Sequence, residues 1–170
     1  MKSRIVNVVF VLYFGLMALV VFGLAIYWHD FNKTPVQPIN FSHKIHAGTL
    51  KLQCTVCHTT VEKSISASVP SVSKCMECHI GVATDKPEII KLTQYWDNKE
   101  LIQWEKVYSV PEHVYFSHKR HIKAGIDCLS CHGEIATMSR VRKVNSLTMG
   151  FCIDCHTVKG ASRDCLTCHK

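Results

Sequence analysis

The chain has 170 residues, of which 47% are hydrophobic and 9% aromatic, with 10 cysteines and 11 histidines. That length holds one ordinary domain or two small ones and excludes a large α/β enzyme, and the varied composition excludes low-complexity and collagen-like chains. Twenty basic against 13 acidic residues give a formal charge of +7. Taken alone this points to nucleic acid or anionic lipid, but aromatic and basic residues do not interleave as they do in single-strand binders.

Lys2 and Arg4 precede an apolar run from Ile5 to Trp28 that is broken only by Asn7 and Tyr13. At helical rise the run spans about 36 Å, enough to cross a hydrocarbon layer of about 30 Å with some tilt. A cleavable signal peptide has a shorter apolar core and a small-residue cleavage site. Here the run is longer, and Leu24-Ala25-Ile26-Tyr27-Trp28 is bulky where cleavage would fall. Residues 1–30 are therefore expected to form one transmembrane helix that remains in place. Tyr27 and Trp28 suit the membrane–water boundary, and the basic residues ahead of the run hold the N-terminus in the cytoplasm. The rest of the chain then lies on the periplasmic or extracellular side of the inner (cytoplasmic) membrane. His29 reads as interfacial. Residues 31–40 contain Pro35 and Pro38 and read as an extended linker, because proline breaks a continuing helix.

Beyond the linker, all the cysteines fall into pairs of one spacing, and a histidine follows each pair. These are Cys54-Thr-Val-Cys57-His58, Cys75-Met-Glu-Cys78-His79, Cys128-Leu-Ser-Cys131-His132, Cys152-Ile-Asp-Cys155-His156 and Cys165-Leu-Thr-Cys168-His169. The spacing marks c-type haem attachment. Two thiols one helical turn apart add to the two vinyl groups on one edge of the porphyrin, and the next residue ligates the iron from the proximal side. Disulfides suit an exported chain but require no histidine after each pair, a coincidence with a chance of about one in a million on composition. Zinc sites use two such pairs each, leaving one over, and a redox-active pair would occur once on a βαβ unit. Five covalently bound haem c groups are therefore expected. Their propionates bring about −5 when the irons are ferric, so the surface is near neutral and a nucleic-acid partner is not expected.

A body of about 140 residues leaves about 28 per haem, too few for a conventional core. The expected fold is mostly α with much irregular structure and little sheet, the porphyrins themselves forming the core. A two-haem module covers 41–80, a haem-free bridge 81–115, and a three-haem module 116–170. In the bridge, Asp85 reads as the N-cap of a helix with Glu88 three residues on. Trp96, Trp104 and Tyr108 read as packing between the modules, or else as a docking face.

Four further histidines lie in two near-identical segments, Phe41-Ser-His43-Lys-Ile-His46-Ala-Gly and Phe116-Ser-His118-Lys-Arg-His121-Ile-Lys-Ala-Gly. This is an internal repeat. Histidines three apart share one face of a helical turn, so one turn can serve two neighbouring haems from their distal sides.

These segments resemble the signature of class III multihaem cytochromes. By that resemblance, His46 would ligate the haem at Cys54/Cys57 and His43 that at Cys75/Cys78. His121 would likewise ligate the haem at Cys128/Cys131 and His118 that at Cys152/Cys155. The fifth haem, at Cys165/Cys168, needs another partner: in the trihaem pattern the equivalent ligand is a histidine a few residues before the middle motif, and the matching stretch Leu147-Thr-Met149-Gly-Phe-Cys152 offers Met149 and no histidine. His113, Met138 and an open site are the alternatives. Thioether ligation would give that haem the highest potential of the five.

The whole chain, from its single anchor through Val114-Tyr-Phe-Ser-His118 and Met149-Gly-Phe-Cys152, resembles the pentahaem cytochrome c subunit of alternative complex III. It is also similar to the multihaem subunit of the menaquinone reductase complex. The resemblance implies a respiratory or photosynthetic electron-transfer subunit with no substrate chemistry of its own. Its partners would be a polytopic quinol-binding subunit, an iron–sulfur subunit, and a downstream cytochrome, copper protein or oxidase on the periplasmic side. Two other readings are weaker. A free-standing quinol dehydrogenase feeding periplasmic reductases places haem binding closer to its anchor and uses a methionine just after a motif histidine, whereas Thr59 follows His58. A catalytic multihaem reductase needs an open iron and usually an altered motif, and all these motifs are standard.

Overall fold

The structure is a computed structural model that describes residues 2–31 and 34–169. Residues 32 and 33 of the expected linker, and the side chain of His29, lie outside the described residues. The chain divides into two units, 1–33 and 34–170.

The first unit is one helix, α1 (Lys2–Phe31). Its segment Arg4–Trp28 has a mean hydropathy of 2.7 and no buried residue. At about 1.5 Å per residue this segment exceeds the hydrocarbon thickness of a bilayer. A helix apolar on every side is suited to lipid rather than to one protein face, so α1 is long and apolar enough to be a membrane anchor.

The second unit is built from short helices: α2 (Cys54–Cys57), α3 (Val72–His79), α4 (Pro87–Asp97), α5 (His118–Lys123), α6 (Leu129–His132), α7 (Met149–Lys159) and α8 (Cys165–Cys168). A π turn covers Lys44–Thr49 and a 3₁₀ turn Ile135–Thr137. There is no β-strand among the described residues. A single antiparallel bridge joins Val114 to His169, and the mostly helical, irregular class expected from the sequence is what the chain adopts.

Buried apolar side chains are scarce. Ile39, Val72, Met76 and Leu92 form one cluster, with Cys75, Ile89, Tyr95, Ile102 and Trp104 packed against it. The cluster pins α3 to α4, so the α4 part of the bridge packs on the first repeat. Helix α4 begins one residue later than expected: its N-cap is Lys86 and Pro87 occupies N1, where a missing N–H costs nothing. Asp85 pairs with Lys86 at 3.0 Å, and the Glu88 carboxylate accepts from the Asn40 amide at 2.7 Å. Segment 34–40 is extended and tied down as well. Gln37 donates to the Glu105 carbonyl at 2.9 Å and accepts from its amide at 3.0 Å, and Lys91 caps the Pro38 carbonyl.

Candidate cofactor-binding site

Each cysteine pair lies on one helical turn. In α2, α6 and α8 the turn closes with a bond from the motif histidine's N–H to the carbonyl of the first cysteine, at 2.9 Å (His58), 3.0 Å (His132) and 2.8 Å (His169). Local capping starts these turns: Asp127 accepts from the Leu129 amide and Asp164 from that of Leu166, both at 2.9 Å. At α7, Thr148 accepts from Phe151 at 3.3 Å, and Gly160 ends the helix in the left-handed region at φ 63°, a conformation glycine adopts without strain. We number the motifs I to V in chain order.

All the thiols are unpaired. Burial raises the pKa of Cys57, Cys75, Cys128, Cys131 and Cys152, with neighbouring thiols adding to the effect. They are thus held as thiols at neutral pH, the opposite of a redox-active pair, whose nucleophile is a stabilised thiolate.

The histidines meet in pairs. The His46 ring centroid lies 6.0 Å from that of His79, His118 is 6.4 Å from His132 with planes 7° apart, and His121 is 6.2 Å from His156. His113 stacks on His169 at 5.5 Å. His43 and His58 are the two rings left over: burial first, then the nearby charges of His58 and of His46, together lower the His43 pKa to about 4. With metal–imidazole bonds of about 2.0 Å, two rings on opposite sides of one six-coordinate iron have centroids about 6 Å apart, which matches these spacings. Among the described residues, no three His, Cys, Asp or Glu side chains converge on a point.

The second nitrogen of most rings is already committed. Nδ1 of His58 faces the Ser68 carbonyl at 2.8 Å, that of His79 the Val82 carbonyl at 2.9 Å, and that of His156 the Ser162 carbonyl. His46 and His121 face the carbonyls of Ser42 and Ser117, both at 2.9 Å, and His118 that of Ile65 at 3.0 Å. A carbonyl only accepts, so these Nδ1 atoms carry the proton and Nε2 is left with its lone pair for a metal. Nδ1 of His43 is buried without a hydrogen-bond partner. Phe41 stacks on His46 at 4.3 Å and meets His43 edge-on at 4.8 Å. Phe116 repeats the arrangement at 4.6 Å from His121 and 4.7 Å from His118. Tyr108, from the bridge, meets His132 edge-on at 4.7 Å. Paired thiols one turn apart and paired imidazoles with free Nε2 are the donor set that a covalently attached iron porphyrin requires.

The rings brought together differ from the pairs that the resemblance implies: His118 lies against His132, and the second histidine of each turn, His46 or His121, lies against that of the following motif, His79 or His156. The turn is docked from outside itself, since the Lys44 amide bonds the Met138 carbonyl and the His118 amide that of Ile65, and this docking sets which way each ring points. At motif V the ring facing His169 is His113, while Met149 begins α7 with 65% of its surface exposed. One sequence signal marks His113: the second repeat has one more motif than the first and one more upstream histidine.

The chain matches the family of cytochrome c7 and related cytochrome c over residues 39–96 and 114–170, one match for each repeat. It is also 29% identical, over 183 aligned positions covering 92% of this chain and 87% of the other, to the multihaem cytochrome c subunit of menaquinone reductase from Nitratidesulfovibrio vulgaris. With most of its length matched by that family, the chain belongs to the cytochrome c7 and related cytochromes and is a multihaem c-type cytochrome with covalently bound haem c.

Proposed function

We propose that the chain is a membrane-anchored pentahaem relay, the electron-transfer subunit of a quinone-linked respiratory or photosynthetic complex of the alternative complex III or menaquinone reductase type. Cys54/Cys57, Cys75/Cys78, Cys128/Cys131, Cys152/Cys155 and Cys165/Cys168 form the thioether links. His58, His79, His132, His156 and His169 are the proximal ligands, and His43, His46, His118, His121 and His113 their distal partners in that order: ring contacts support His46/His79, His118/His132, His121/His156 and His113/His169, and His43/His58 is the pair that remains, with His58 near enough to act on His43 electrostatically. The observation that carries the reading is the recurrence of one ring-pair spacing at successive motifs, with Nδ1 repeatedly bonded to backbone carbonyl.

Bound haem supplies reversible one-electron chemistry at iron. The cysteine pairs would tether the groups, and the paired histidines, their rings oriented through Nδ1, would hold the irons. Irons held by two imidazoles each would leave no room for a substrate, so the chain would relay electrons rather than transform a bound molecule. Phe41 and Phe116 wedge against paired ligands and hold them in place.

Partners would be a polytopic quinol-binding subunit and an iron–sulfur subunit of the same complex, with a cytochrome, copper protein or oxidase as acceptor on the periplasmic side. Lys2 and Arg4 favour a cytoplasmic N-terminus. The relative belongs to a menaquinone reductase, which supports the quinone-linked setting and favours, as a second reading, the same relay run toward quinone. Intact mass and a pyridine haemochrome assay on the detergent-solubilised protein should give five haems per chain, and the native assembly should co-elute with a polytopic subunit. Fewer than five haems, or quinol oxidation by the isolated chain, would overturn the proposal.

A further inference from the structure

The structure assigns the five sites a linear order that differs from their order in the chain, running II–I–III–IV–V, with an approximate two-fold relation at the I–III junction. This rests on the pentahaem reading above and deepens it, because it names the two ends where electrons enter and leave.

Sites I and II are neighbours because one π turn serves both, with His43 toward motif I and His46 toward motif II and Phe41 between them. The Cys57 thiol is close enough to Cys78 to feel its charge. Sites III and IV are neighbours by the same device on α5, with His118 toward motif III and His121 toward motif IV.

The junction between repeats is reciprocal. The His43–His46 turn of the first repeat docks on the segment after motif III: the Lys44 amide bonds the Met138 carbonyl at 2.8 Å, and a Cβ on Gly48 would collide with the Ala136 carbonyl oxygen. The His118–His121 turn of the second repeat docks on the segment after motif I, where Ile65 accepts from both the amide and Nδ1 of His118, each at 3.0 Å, and Ser64 accepts from Lys119 at 3.2 Å. Each repeat thus supports the ligand turn of the other. At the centre of this exchange the equivalent residues Cys54 and Cys128 are near neighbours, and so are His58 and His132. Sites I and III therefore stand back to back, with II and IV outside them. Site V is appended beyond IV: Cys152 lies near Cys168, and Ser162 joins the two motifs, its carbonyl on His156 and its hydroxyl 3.1 Å from that of Thr167. Electrons crossing between repeats must pass through I and III.

The order is tested on the full-length holoprotein in detergent. Replacing a distal histidine by glycine opens one chosen haem to nitric oxide, and two such replacements give two spin probes whose dipolar coupling is read by pulsed EPR. The order II–I–III–IV–V requires strong coupling for the I/III pair (His43→Gly with His118→Gly). It requires the weakest coupling for II/V (His46→Gly with His113→Gly), about two-fold below that of I/V (His43→Gly with His113→Gly). A chain-order arrangement reverses the last comparison, and weaker coupling for I/V than for II/V overturns the assignment. Where a glycine variant loses its haem, the corresponding His→Met variant marks the site by a raised midpoint potential, and the neighbours whose midpoints shift with it must follow the same order. Five haems with a different order sinks this inference and leaves the pentahaem reading intact, whereas fewer than five in the native protein sinks both.

Discussion

Replacing His113 by alanine separates the two candidate ligands of the fifth haem. The ring of His113 is the one that stacks on His169, at 5.5 Å, and Met149 presents an exposed thioether at the start of α7. The substitution leaves the backbone that seats α8 in place, because the Tyr115 amide bonds the Cys168 carbonyl at 2.8 Å and Val114 bridges to His169. The variant should therefore keep its fold and all its haems while one iron loses its sixth ligand. Low-temperature EPR should then show about one fifth of the low-spin intensity converted to a high-spin signal, as expected when one of five bis-imidazole irons becomes five-coordinate. Added imidazole, reaching a site whose own histidine is solvent-exposed, should restore the low-spin form. His113→Met should instead raise the midpoint of that haem alone, since thioether ligation favours the reduced state. A full low-spin complement in His113→Ala, together with a high-spin signal in Met149→Leu, would refute the ring-pair reasoning.

Two further outcomes follow from the fold. Leu92→Ala removes a residue that is 4% exposed in the one apolar cluster and should cost about 2–5 kcal/mol, read as a lowered thermal midpoint with haem content unchanged; a loss below about 1 kcal/mol would show that the cluster does not support α3 and α4. His43 is buried and its protonation is disfavoured, to a pKa of about 4 even without iron, so as an iron ligand it should stay bound as pH falls from about 6.5 toward 4. The low-spin Soret band should be unchanged over that range, and conversion of one haem to high spin near pH 6 would refute it.

Much of the chain was legible because its signals are local. A hydrophobic run of the length of Ile5–Trp28 admits little but a helix, and a cysteine pair followed by histidine sets its own turn. About 28 residues per haem, without continuous apolar runs, made a sheet-based core unworkable, and no sheet forms among the described residues. Ligand pairing was a different matter. Three-residue spacing places His43 and His46 on one face without saying which motif each will meet, and that is decided by carbonyls far off in sequence, at Met138 and Ile65. His113 stands outside the repeated histidine turn, five residues before His118, so spacing alone gives no ground for preferring it to Met149. Asp85 looked like a cap on composition, but Pro87 fixes the first helical residue and shifts the cap to Lys86.

The scarcity of buried side chains has a consequence for biogenesis. Among the described residues only Ile39, Val61, Val72, Met76 and Leu92 are apolar and buried, all within the first repeat and its bridge. The second repeat has nothing of its own with which to offset the entropy of ordering its backbone. Such a polypeptide stays pliable until covalently attached haem supplies the missing core. Maturation and folding are then a single event, and a protein missing one attachment would be recognisable to proteases as unfinished.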